Sequence, residues 1–110
     1  LHEAGHGFLE IQFALASKIR DEAASIGVEN ISESKMGLVR DTETLLNWFG
    51  VESMDAWRSL SNEELTSYHE KFARGFEKYL YEGTSPNIEM QVLFRRFRAW
   101  MIAVYKGGVG

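Results

Sequence analysis

Apolar residues along this chain recur at intervals of three and four rather than at the alternation of two that marks a half-buried strand, which predicts helices nearly throughout. A first run through Leu1, Gly5, Phe8, Leu9, Phe13, Ala16 and Ile19 predicts a helix from the start of the chain to Ile19 or somewhat beyond. From Asp21 to Gly37 the pattern is interrupted by Ser25, Gly27, Asn30, Ser32 and Ser34, and this stretch reads as a connection holding at most a short helix. Asp41 is placed to cap a helix bearing Leu45, Leu46, Trp48 and Phe49, with Gly50 as its stop. Ser53 is placed to cap one further short turn through Met54, Trp57 and Leu60.

Ser61 opens the best-specified element. Ser61 and Glu64 form a capping-box pattern, and Leu60 and Leu65 occupy the two positions of a hydrophobic staple. The helix that follows carries Leu65, Tyr68, Phe72, Phe76 and Tyr79 or Leu80 on one face and ends near Gly83. Ser85 and Pro86 are expected to open the last helix, because proline is favoured at the first helical position. Its stripe is Met90, Phe94, Phe97, Met101 and Val104 or Tyr105, and Gly107 and Gly108 are expected to stop it. The fold class is therefore mainly α: a single domain over residues 1–110, with three main helices and short ones between them.

Composition narrows the function. The chain has 110 residues, enough for one core and too few for two. Twelve Lys and Arg against sixteen Asp and Glu give a formal charge of -4, which argues against a protein that coats nucleic acid through general basicity. Arg95, Arg96, Arg98 and Lys106 are interleaved with Phe94, Phe97 and Trp100, a pattern able to bind a nucleic-acid backbone, but it reads first as the solvated side of an amphipathic helix. The absence of cysteine excludes disulfide frameworks, thiolate zinc sites and cysteine nucleophiles. No apolar run approaches the ~18 residues of a membrane span, and the opening residues do not read as a signal peptide.

The informative residues come almost first, at His2-Glu3-Ala4-Gly5-His6. Histidines at i and i+4 lie one turn apart on one helix face, where both imidazoles can reach one ion. A glutamate directly after the first histidine stands near enough to take a proton from a water held by that ion. Zinc suits imidazole and lowers the pKa of its water towards ~7. A catalytic zinc needs a third protein ligand and an open position. A glycine at position 9 and a histidine at position 12 would supply that ligand from the same helix in one metalloprotease class, but the chain has Leu9 and Gln12 there. The remaining sources are Glu63, Glu64, His69, Glu70 and Glu77. Glu63 and Glu64 are accounted for by the first turn of their own helix, whereas Glu70 sits mid-helix with the small Ala73 one turn on, and His69 could present a ring nitrogen or be a surface residue.

The pentapeptide, followed on a separate helix by Glu70-Lys71-Phe72-Ala73-Arg74-Gly75-Phe76, resembles the zincin-type metallopeptidases whose third ligand is a glutamate. The protease domain of anthrax lethal factor has a similar Glu-x-Phe-Ala-x-x-Phe motif whose first residue is that ligand. Residues His69 to Gly83, with Phe94, Phe97, Trp100 and Tyr105, also resemble zincin-like domains embedded in the large polyvalent proteins of phages and prophages. The resemblance covers the first helix and roughly the last forty-five residues; the segment between is unplaced.

The resemblance implies zinc held by His2, His6 and Glu70, with Glu3 as general base for peptide-bond hydrolysis. Tyr68, His69, Tyr79 and Tyr81 are open as the donor that stabilises the transition state, foremost Tyr68 and His69, although the aromatic stripe favours a core role for Tyr68. It implies a peptide or protein substrate, other domains of a parent polypeptide as partners, and a location in a bacterial cytoplasm or a phage particle. Zincins hold the active-site helix against a preceding sheet, so the chain is expected to be a fragment that lacks this sheet. That departure keeps a second expectation open, a non-catalytic structural or protein-binding module that retains the fold.

Overall fold

In the computed structural model the backbone of residues 2–109 and the side chains of residues 4–104 are described. Five helices follow one another: α1 (His2–Ile26), α2 (Glu33–Phe49), α3 (Met54–Arg58), α4 (Asn62–Glu82) and α5 (Ile88–Val109), with a 3-10 turn at Val28–Asn30 between the first two. There is no strand among the described residues, and no described helix is long and apolar enough to cross a membrane.

Several expected boundaries are met for the expected reasons. Gly50 and Gly83 adopt left-handed φ values of 77° and 73°, the conformation that ends a helix and that a side chain resists. Ser53 Oγ accepts from the Ala56 N–H at 3.0 Å. Ser61 Oγ accepts from the Glu64 N–H at 3.2 Å while Glu64 returns a carboxylate oxygen to the Ser61 N–H at 3.1 Å, completing the capping box.

Other boundaries differ. The segment from Asp21 to Gly37 is mostly helical: α1 runs on to Ile26, the chain turns at Gly27 (φ 95°), and Ser32 caps α2 by accepting from the Lys35 N–H at 3.2 Å. Gly27, Asn30 and Ser32 are therefore the turn and cap residues of a tight corner rather than parts of a long loop, while Ser25 and Ser34 lie inside α1 and α2. A fourth long helix replaces the expected set of three, and Asp41 lies in its interior, ion-paired with Arg96 of α5 instead of capping anything. Helix α5 begins at Ile88, two residues after Pro86, because the Asn87 side chain accepts from the Met90 N–H at 2.8 Å and takes the cap position. It continues to Val109, past the glycines expected to stop it.

The core forms where the stripes meet. Leu9, Phe13 and Ala16 of α1, Leu45, Leu46 and Phe49 of α2, Met54 and Trp57 of α3, Phe72 and Phe76 of α4, and Met90, Leu93, Phe94 and Phe97 of α5 are all buried. Helix α1 packs on α2 and α4, α5 packs on the same two, and Phe8 of α1 meets Phe97 of α5 with ring centroids 4.6 Å apart. Phe72 and Phe97 lie with centroids 5.2 Å apart and Phe76 and Phe97 4.4 Å apart, at interplanar angles near 50° that suit the ring quadrupoles. Of the stripe residues, Leu80 and Val104 are exposed, and Tyr79 and Met101 half-buried.

Candidate functional site

The site lies where the first turns of α1 cross α4. Gly5 is buried there, and a side-chain carbon at its position would meet the Phe72 ring at 3.6 Å, so α1 lies close over α4 at that point. One residue on, His6 faces His69: the two Nδ1 atoms are 2.7 Å apart and the rings meet edge to face with centroids 4.4 Å apart. A single proton between the two nitrogens makes this a hydrogen bond, with one ring donating and the other accepting.

His69 is only 7% exposed. Its ring lies parallel to that of Trp57 at 12° and 6.3 Å, and Trp57 is itself stacked on Phe13 at 4.1 Å and 5°. Burial lowers the pKa of His69 below its ordinary value of 6.5, the neighbouring His6 lowers it further, and Glu10 opposes both. Glu10 is four residues after His6 and therefore on the same face of α1.

Glu70 is the residue after His69 and so points about 100° further round α4. Its side chain is 47% exposed and its carboxylate stands 3.5 Å from the Arg74 guanidinium, an i,i+4 pair on the helix surface. Tyr68 is half-buried and packs its ring against Phe49 at 5.1 Å and Trp57 at 5.7 Å, at the edge of the core. Tyr79 packs on Phe76 and Phe94, and Tyr81 is exposed. The side chains of His2 and Glu3 lie outside the described residues, as does that of Lys106. Among the described residues no three His, Asp or Glu side chains converge as a metal cluster.

The donor chemistry at His6 fits a zinc ion in one way. Two nitrogen ligands of one tetrahedral zinc, each at ~2.0–2.1 Å, stand roughly 3.3 Å apart. The 2.7 Å between the Nδ1 atoms is too short for both to be ligands and right for a hydrogen bond. Engaging Nδ1 in this way leaves Nε2 as the nitrogen with which His6 would hold a metal.

The pairing with His69 goes beyond the sequence reading, which left that residue open between ligand, donor and surface. A signal was present: His69 is three residues before Phe72, four before Ala73 and seven before Phe76, the spacing of the buried face of α4. Compared with protein-family models, with characterised proteins and with solved structures, the chain matches none.

Proposed function

We propose that the chain is the helical part of a zinc-dependent metallopeptidase of zincin type, in which His2, His6 and Glu70 hold the metal and Glu3 is the general base. The observation that carries this reading is the meeting of His6 with the turn of α4 that bears His69 and Glu70. The second histidine of the pentapeptide and the glutamate of the second motif, 64 positions apart, are thereby carried on adjacent parts of two packed helices. The Glu70–Arg74 pair is an exposed i,i+4 pair, worth about 0.3–0.5 kcal/mol, so rotating the carboxylate away from Arg74 costs little.

When bound, zinc supplies Lewis acidity towards a peptide carbonyl and its water. The task of Glu3 is to accept a proton from the attacking water and pass it to the leaving nitrogen. The sheet expected before the active-site helix, a peptide or protein substrate, the neighbouring domains of a phage or prophage polypeptide, and a bacterial cytoplasm or phage particle as location all belong to the same proposal.

Metal content of the purified chain tests it. About one zinc per chain is expected, lost in both His6→Ala and Glu70→Ala; a zinc content unchanged in either variant removes that residue from the ligand set.

One observation favours a second reading, a structural or protein-binding module without turnover. His6 is satisfied by His69 and Glu70 by Arg74, an arrangement that needs no ion. Cleavage of an unfolded protein by the native chain, abolished in Glu3→Gln, rejects that reading.

A further inference from the structure

We propose that His69 is a positioning residue for His6, accepting the Nδ1–H of His6 so that His6 presents Nε2 to the metal. The inference rests on the peptidase reading of the site. Two neutral imidazoles with their Nδ1 atoms 2.7 Å apart have two arrangements, differing in which ring carries the proton between them. A metal on Nε2 of His6 requires that ring to be protonated on Nδ1, and a protonated Nδ1 requires an acceptor. Metal-binding histidines usually obtain one from a carboxylate or a backbone carbonyl. The nitrogen facing His6 here belongs to a third histidine, which then carries its own proton on Nε2.

The surroundings of His69 suit an acceptor that does not move. Its ring is buried and lies parallel to Trp57, and Trp57 is fixed between Phe13 of α1 and Phe49 of α2, the latter at 5.5 Å and 16°. The short helix α3 brings Trp57 there, with Ser53 capping it. This gives the segment between the two motifs a role: α3 holds the ring that holds His69, and His69 sets the orientation of His6. A carboxylate at position 69 would be buried beside apolar rings at a cost.

Two measurements test the inference. Long-range proton–nitrogen NMR of the metal-free chain reads which His6 nitrogen bears the proton. Protonation on Nδ1 is expected, and protonation on Nε2 with His69 as donor overturns the inference without any variant being made. Zinc affinity, measured by competition with a chelating dye, is expected to fall about 10- to 100-fold in His69→Ala. It should stay within a few-fold of native in His69→Asn, whose Oδ1 occupies the place of Nδ1 and accepts the same proton. Zinc bound as tightly by His69→Ala as by the native chain overturns the positioning role alone. No zinc uptake by the native chain overturns the peptidase reading on which it rests.

Discussion

Gln12 of α1 donates a hydrogen bond to Thr42 Oγ1 of α2 at 3.0 Å, inside the seam between the two helices. The same Nε2 donates to the Leu38 carbonyl at 3.1 Å, and the Thr42 hydroxyl donates to that carbonyl at 3.0 Å. Three polar groups are thus closed on one another where α1 and α2 pack. The bond also fixes register, because sliding either helix by a turn would leave Gln12 buried without a partner. Thr42→Val keeps the shape and removes the acceptor, and is expected to destabilise the fold by about 1–2 kcal/mol in urea unfolding. An unchanged unfolding midpoint would mean that the seam is held by apolar contacts alone.

Gly75 stands in the second motif where α4 passes under Trp48 and Phe94. A side-chain carbon there would lie 2.8 Å from Trp48 Cη2 and 3.1 Å from Phe94 Cζ. Trp48 has little room to yield, since Lys71 sits 4.9 Å over its ring and donates to its carbonyl at 3.0 Å. Alanine gains about 1 kcal/mol in helix propensity, but overpacking costs typically 1–3 kcal/mol. Gly75→Ala is therefore expected to lower stability by about 1 kcal/mol, seen as a lower melting temperature. A higher melting temperature would show that the Trp48 ring moves freely.

Removing the cap of α4 tests the best-specified local feature. Ser61→Ala leaves the Glu64 N–H without its side-chain acceptor and breaks the reciprocal pair. A loss of about 1 kcal/mol is expected in thermal or urea unfolding, while Ser61→Gly should lose only a few tenths. Equal losses for the two would locate the effect in the backbone instead of the cap.

Acid should weaken the metal-free chain through His69. Its folded pKa is lowered by burial and by His6, so below the ordinary value of 6.5 the unfolded chain binds more protons than the folded one. Stability is then full above about pH 6.5 and is lost as pH falls through the folded pKa of His69. In chelator-treated protein, unfolding midpoints should fall as the pH is taken below the ordinary histidine value of 6.5, and His69→Asn should flatten that slope. A slope that is the same in the variant would assign it to other groups.

The elements whose ends carry their own chemistry were legible without coordinates. Ser61 with Glu64, Ser53, Gly50 and Gly83 act through bonds or backbone angles within four residues of themselves, so their effect is written locally. The apolar stripes of α1, α4 and α5 were legible for a related reason: helical spacing alone decides which side chains share a face.

The first half of helix α2 is not legible in the sequence because its support comes from elsewhere. Ser34 and Gly37 weaken it locally, but Leu38 and Thr42 are held by Gln12 of α1, and Asp41 by Arg96 of α5. Tertiary packing overrides a weak local preference.

For the candidate site the division is the same. The sequence by itself determined the pentapeptide that sets His2 and His6 one turn apart, and the register that puts His69 on the buried face of α4. Only the tertiary structure decided that His6 would meet His69 while Glu70 pairs with Arg74. The contact joins residues 63 apart in the chain. It depends on how closely α1 approaches α4 over Gly5 and on where Trp57 holds the histidine ring, and neither distance is encoded within a single helix.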